Sequence, residues 1–301
     1  MKILITGGAG FIGSHLIDTL IEHEITIIDN FSNSSTDKIS YFEKKNIKVI
    51  QDDILNLEQI KYSSLFFDLV IHLAAQINVD VSVKNPHFNH KINVTGTKTV
   101  LNFCVKNNIK NFIAASSAAI FGEPKKIPLT EESPTNPISP YGESKLLMEE
   151  LIKQFSEKFH LNTIVLRFFN IYGEGQNDEY AGVISKFIKQ IKKNEDLIIF
   201  GDGNQTRDFL SVCDLTEAIH CAIQRINGKH GLCINIGSGL STSINELATL
   251  MISLSKKPLK IKYKIKKQGD IQNSLASINY AQKVLNFNPK VSLKKGIDQL
   301  L

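Results

Sequence analysis

Short apolar runs and amphipathic stretches alternate along most of this chain. Strand-like runs fall at 3–6, 25–29, Lys48–Gln51, 69–73, 111–115, 163–167 and Leu232–Ile236. The early ones, such as Ile3-Leu4-Ile5, are continuously apolar, as parallel strands covered on both faces must be. Helical periodicity at 12–21, 88–107, 144–159 and 213–226 supplies crossovers between them. This βαβ alternation predicts an α/β fold, a doubly wound parallel sheet. Segments rich in Gly, Pro, Asn and Asp at 30–37, 123–140, 173–181 and 200–207 are long loops, which inside a compact domain are usually functional.

Composition narrows the class. With 301 residues, 42% apolar and 22% charged, the chain has the make-up of an ordinary globular protein. No apolar run approaches the roughly 20 residues of a membrane helix. Gly7-Gly8-Ala9-Gly10 breaks the only N-terminal stretch that resembles a signal peptide, so a cytoplasmic location is expected. Cys104, Cys213, Cys221 and Cys233 form no CxxC pair and lie near no His cluster; buried free thiols are expected, and no metal site. The net charge of +5 is local, because residues 256–267 hold seven lysines and no acid. No nucleic-acid-binding surface is implied. There Leu259, Ile261, Tyr263 and Ile265 alternate with lysines, which predicts a half-buried strand with a solvated lysine face.

Candidate chemistry begins at residue 6. Gly7, Gly10 and Gly13 form a GxxGxxG loop that closes the first strand and opens a helix. Glycines there let the backbone approach a pyrophosphate, which sits on the positive helix N-terminus. The second strand ends at Asp29, where a carboxylate can accept from both adenosine ribose hydroxyls and repel a 2′-phosphate. That favours NAD over NADP; the competing reading is a turn or capping Asp. Asp53-Ile54 follows the third strand, placed to meet an adenine edge.

Tyr141 and Lys145 are four apart, and so share one face of the predicted helix. An ammonium beside a phenol favours the phenolate, a base able to take a proton from a sugar hydroxyl. Ser117, upstream, can hold the same oxygen. The motif alone also fits a solvated helix face.

Together these residues carry a resemblance. TGGAGFIGSH at 6–15, DN at 29–30, DDI at 52–54, HLAAQ at 72–76 and NVTGT at 93–97 are joined by SSAAIFGE at 116–123 and SPYGESK at 139–145. LRFFNIYGEGQ at 166–176, FGDGNQTRDF at 200–209 and NIGSG at 235–239 follow. In this order they resemble the extended short-chain dehydrogenase/reductases, and within them the NAD-dependent nucleotide-sugar epimerases of the UDP-glucose 4-epimerase type. The resemblance implies that Phe11, Ile12, Asp29, Asn30, Asn33 and Ser34 line an NAD site. It adds Asp53, Ile54, Leu73, Ala74, Ala75, Gln76, Asn93 and Phe169, with Tyr141 and Lys145. It implies Ser117, Tyr141 and Lys145 as the catalytic trio, and Asn170 and Arg207 as holding a nucleotide diphosphate-sugar. Without the family, Arg207-Asp208 reads as a surface ion pair. Homodimers built from two helices per subunit, here 88–107 and 144–159, are implied as well. So are a Rossmann-type NAD-binding domain, residues 1–166 with 209–236, and a smaller C-terminal α/β substrate-binding domain for the nucleotide sugar, 167–208 with 237–301.

Departures refine this expectation. Lys267, before Gly269-Asp270, stands where the family commonly has an Arg on the diphosphate, and keeps charge without the bidentate fork. Ser274 occupies a position where a bulky residue in some epimerases excludes N-acetylated sugars, which implies room for them. Phe121 replaces a Tyr, a packing change. Ala118 and Ala119 stand where relatives that eliminate water carry acids, and alanines transfer no proton. A 4-epimerase of UDP-hexoses is the leading expectation. A 4-keto nucleotide-sugar reductase with net cofactor turnover and a non-catalytic NAD-binding protein are the alternatives.

Overall fold

The computed structural model describes residues 1–58, 66–176, 182–266, 269 and 271–301. The chain builds β1 (Lys2–Thr6), β2 (Glu24–Asp29), β3 (Lys48–Gln51), β4 (Leu69–His72), β5 (Asn111–Ser117) and β6 (Asn162–Phe168). Short strands follow: β7 (Asn170–Tyr172), β8 (Leu197–Phe200), β9 (Thr206–Arg207) and β10 (Phe209–Ser211). The chain then returns to the main sheet with β11 (Leu232–Ile236) before β12 (Thr242–Ser243) and β13 (Ile261–Lys264). The main sheet has seven parallel strands in the order β11-β6-β5-β4-β1-β2-β3. Order reverses beside β1, and α/β proteins open their ligand crevice at such a switch point, at the carboxyl ends of the strands.

Helices α1 (Phe11–Thr19), α2 (Lys38–Lys44), α3 (Val79–Lys84), α4 (Pro86–His90), α5 (Gly96–Lys106) and α6 (Pro140–Phe159) belong to the first half. They are followed by α7 (Val183–Lys192), α8 (Val212–Arg225), α9 (Ile244–Ser255), α10 (Asn279–Leu285) and α11 (Leu293–Asp298). Strand alternation sends Ile3 and Ile5 into one core, with Leu16, Leu215 and Leu285. Leu4, between them, enters the other core with Leu101, Met148 and Ile152. The sheet is therefore apolar on both faces, as its continuous runs require. A third core joins Phe187, Leu197, Leu247 and Ile297, from α7, β8, α9 and α11. Among the described residues, no helix is long and apolar enough to cross a membrane.

All seven anticipated runs are strands of the main sheet, and β5 runs on to Ser117. Three expectations change. The helix anticipated over 88–107 is divided by a π-helical turn at Lys91–Thr95 between α4 and α5, an insertion found mostly at functional sites. The lysine-rich segment forms β13, but Tyr263 and Ile265 are exposed, so the alternation does not report a buried face. Only Leu259 and Ile261 pack on the third core. Tyr263 instead donates its hydroxyl to Asn245 Oδ1 at 3.0 Å. Finally Cys213 is exposed, because it falls on the solvent side of α8; Cys104 and Cys221 are buried.

Helix α6 begins earlier than its periodicity suggested. Ser139 caps it, accepting the N–H of Gly142 at 3.1 Å, and Pro140 occupies the first turn. This places Tyr141 at the helix start, facing the carboxyl ends of the strands. Ser139→Ala should lower stability by about 1 kcal/mol, read by urea denaturation.

Candidate active site

A cavity of about 800 Å³ runs along the carboxyl ends of the strands. Its walls include the glycine loop, Asp29, Ser117, Tyr141, Lys145 and Arg207. At Gly7, φ is +71° and a Cβ would lie 2.6 Å from the backbone nitrogen of Ala74, so only glycine fits. A Cβ on Gly13 would meet Gly8 Cα at 2.6 Å, so that glycine lets α1 lie on the turn.

Asp29 orders this end. Its carboxylate accepts the N–H of Ala9 at 2.9 Å and of Phe31 at 2.8 Å. Burial raises its pKa, and those two donors with Lys38 oppose the rise. Asn30 donates to Asp53 Oδ2 at 2.9 Å, while Asp53 Oδ1 caps the turn at Ile54 by accepting from Leu55 N–H. Ser34 Oγ is buried, lies on a cavity-lining residue and has no partner. A cradle only glycine can form and an orphaned hydroxyl fit a bound dinucleotide.

The catalytic candidates meet where β5 ends and α6 begins. The Tyr141 and Ser117 side chains both line the cavity there, and the Ser117 hydroxyl accepts the N–H of Ala119 at 3.1 Å. Burial pushes the Tyr141 phenol up, and the Ser117 contact pulls it part of the way back. Burial pushes Lys145 down to about 8, with the Glu149 carboxylate opposing. The Lys145 ammonium donates to the Ala115 carbonyl at 2.8 Å, with Met148 Sδ at 4.0 Å. Its hydrogen bonds therefore go to those groups and not to the phenol. The lowered phenol pKa expected from Lys145 is absent in this arrangement, because the ammonium does not reach the hydroxyl.

Glu149, one turn beyond Lys145, was not singled out by its local sequence. It pairs with Arg167 at 2.8 Å and accepts from Ser116 Oγ at 2.5 Å, all buried. Arg167 also donates to the Glu131 carbonyl at 3.1 Å and lies over the Phe121 ring at 5.3 Å. That contact accounts for an aromatic ring at Phe121. Asp208 is likewise no surface partner of Arg207. It is fully buried and accepts from Ser238 N–H, Gly239 N–H and Ala276 N–H at 2.6, 3.0 and 3.1 Å.

Most of the other anticipated residues line the cavity: Gly10, Phe11, Ile12, Asn30, Asn33 and Ser34 at one end, and Asp53, Ile54, Leu73, Ala74 and Ala75 beside them. Phe169 and Asn170 line it farther along. Gln76 and Asn93 lie behind the wall. The Gln76 N–H donates to Asn93 Oδ1 at 2.8 Å, and Asn93 Nδ2 donates to Ser144 Oγ at 2.9 Å. Ser144 in turn donates to the Tyr141 carbonyl at 2.8 Å. Ser274 is buried off the cavity surface, its N–H donating to the Thr206 carbonyl at 3.2 Å, and Ile271 lines the cavity from that segment. Lys267 and Asp270 lie outside the described residues. Lys186 on α7 also lines the cavity; an isolated lysine in an amphipathic repeat gave no signal. Among the described residues, no cluster of His, Cys, Asp and Glu could hold a metal ion.

The doubly wound sheet, the glycine loop and the Ser-Tyr-Lys set define a nicotinamide-nucleotide enzyme of the extended short-chain dehydrogenase/reductase class. The model of the NAD dependent epimerase/dehydratase family matches residues 3–237, and the chain belongs to that family. It is thus an enzyme of the epimerase type with NAD as cofactor. A Methanocaldococcus jannaschii protein, named provisionally as a UDP-glucose 4-epimerase, is 40% identical over 306 residues, covering 99% of this chain and 97% of the relative. The structure of Thermotoga maritima UDP-glucose 4-epimerase with UDP-glucose is similar, with a TM-score of 0.92 and 34% identity over 99% of this chain and 96% of that one. So is the UDP-N-acetylglucosamine 4-epimerase of Methanobrevibacter ruminantium M1 in complex with UDP-N-acetylmuramic acid, with a TM-score of 0.92 and 33% identity at the same coverage.

Two outcomes test this geometry. In ligand-free protein, the Lys145 side chain should titrate near pH 8 by NMR, charged below and neutral above. Glu149→Gln should move that midpoint lower, since the carboxylate favours the ammonium. Glu149→Ala should cost about 3–5 kcal/mol in denaturant unfolding, because it leaves Arg167 charged and buried without its partner.

Proposed function

We propose that this enzyme interconverts the C4 epimers of UDP-hexoses, UDP-glucose and UDP-galactose, through a transient 4-keto sugar. The observation that carries the reading is that Ser117, Tyr141 and Lys145 line the same cavity as the glycine loop and Asp29. The glycine loop would take the pyrophosphate of NAD, Asp29 its adenosine ribose, and Lys145 its nicotinamide ribose. The cofactor, when bound, supplies a reversible hydride acceptor and a positive charge.

Tyr141 takes the proton from the sugar O4 and returns it, while Ser117 holds that oxygen. A positive charge near Tyr141 favours its phenolate and offsets the rise caused by burial. Arg207, which lines the cavity, would hold the diphosphate as a guanidinium does well. With Asn170, which also lines the cavity, it would form the nucleotide-sugar grip, residues 167–208 and 237–301 making up the second domain in this reading. Inverting C4 requires both faces of the keto sugar to be presented in turn, so the sugar must rotate while the diphosphate stays held. Ala118 and Ala119, which follow Ser117, carry no proton donor, which supports epimerisation over loss of water.

The small Ser274 supports acceptance of UDP-GlcNAc and UDP-GalNAc as well, since no bulky side chain enters from that position. Exposed Val83 and Phe88, on α3 and α4, support a homodimer interface there. The absence of a membrane-length helix among the described residues is compatible with a cytoplasmic enzyme.

Sugar resonances followed by NMR with each of the four UDP-sugars, without added cofactor, should show interconversion. Silence with all four would overturn the reading, and stoichiometric consumption of NAD(H) would replace it with a reductase. Tyr141→Phe should lower kcat by at least about 10²-fold, the usual contribution of a general acid–base group. Ser274→Tyr should remove activity on the N-acetylated sugars selectively; equal loss on all four would count against that part.

A further inference from the structure

Lys38 opens α2 and is not among the residues lining the cavity, yet its side chain reaches the glycine loop. Its ammonium donates to the Ala9 carbonyl at 2.9 Å and to the Ser14 hydroxyl at 3.2 Å. Ser14 passes its own proton to the Gly10 carbonyl at 2.7 Å. On the other side of the same residue, the Ala9 N–H donates to Asp29 at 2.9 Å. Ala9, fully buried in the middle of the loop, is thus gripped at both its polar groups by opposite charges. Those charges come from two other elements, the end of β2 and the start of α2. Asp29 also acts on Lys38 directly, favouring its ammonium against the effect of burial.

We propose that Lys38 is a positioning residue that locks the dinucleotide loop and sets how slowly NAD leaves the enzyme. A loop built on Gly7, Gly8 and Gly10 has much backbone freedom to lose. Ordering such a loop at the moment of binding costs affinity, and fixing it beforehand removes that cost. Charged hydrogen bonds from Lys38 and Asp29 hold the loop in its bound form before the cofactor arrives. An epimerase regenerates its cofactor on every turnover and gains nothing from exchanging it. The inference rests on the proposed NAD site, and a clamp on the loop is what slow exchange requires.

The experiment is a chase. Protein loaded with radiolabelled NAD is mixed with excess unlabelled NAD, and retained label is followed with time. Wild type should hold the label. Lys38→Met, which keeps the length without the charge, should release it about tenfold faster, the effect of losing one charge-assisted hydrogen bond. Lys38→Arg restores the donors and should lie within about threefold of wild type. If Lys38→Met does not fold, Ser14→Ala removes the hydroxyl that Lys38 grips and should also speed release, by a smaller factor. Equal rates in wild type and Lys38→Met, or Lys38→Arg releasing as fast as Lys38→Met, would overturn the inference. Wild type that retains no label would remove the cofactor site itself, and this inference with it.

Discussion

Exclusion of water from Tyr141 and Lys145 is the constraint around which this site is built. Burial drives each toward its neutral form, the phenol upward and the ammonium down to about 8. A neutral phenol is a poor base and a neutral amine a poor partner for a phenolate, so burial alone would leave the pair inert. The fold answers with two opposing groups. Glu149 favours the charged lysine, and the Ser117 hydroxyl favours the ionised tyrosine. The protein by itself stops short of ionising Tyr141. In the proposed mechanism base strength would then be coupled to cofactor occupancy, because a further positive charge would have to enter the cavity from outside.

Glu149 can oppose desolvation only because its own burial is compensated. An isolated buried carboxylate would protonate instead. Here Arg167 from β6 and Ser116 from β5 satisfy it from below, and Arg167 keeps further contacts with the Glu131 carbonyl and Phe121. The cluster joins β5 and β6 to α6, the helix that carries Tyr141 and Lys145. Ser117 follows Ser116, so strand alternation turns it away from Glu149 and toward Tyr141. Pair strength and catalytic geometry are set by the same few side chains, which is why a change at Glu149 reaches both stability and titration.

What could be read in the sequence was what is local in the chain. The glycine spacing, Asp29 at the end of a strand, and Tyr141 and Lys145 four apart each state their geometry within a few residues. All of them line one cavity. Lys38, Glu149, Arg167 and Asp208 escaped notice because their partners are distant in sequence and the chain around them has an ordinary amphipathic pattern. Asp208 is the sharpest case. Beside Arg207 it resembles half of a surface ion pair, whereas it is a buried acceptor that ties the segments at Ser238 and Ala276 together. Alternation failed at Tyr263 and Ile265 because, among the described residues, β13 pairs only with β8 and both side chains are left exposed. The 88–107 helix was right in length and wrong in continuity, since the π turn that places Asn93 against Gln76 and Ser144 leaves no periodic trace.

These features divide the cavity by how firmly each part is built. At one end Asp29 and Lys38 fix the glycine loop, and only glycine fits at Gly7. At the other, Asp208 anchors the backbone next to Arg207, so the cavity-lining guanidinium proposed to hold the diphosphate stands on a buried support. Between them Ser117 and Tyr141 bring two hydroxyls to the wall of a cavity whose whole volume is about 800 Å³. That volume is at the upper end for a small-molecule site. An enzyme that binds one face of its substrate gains from gripping the reacting ring tightly. One that must offer both faces of the same ring gains from firm ends and a permissive middle, and the distribution of buried charge in this chain follows the second plan.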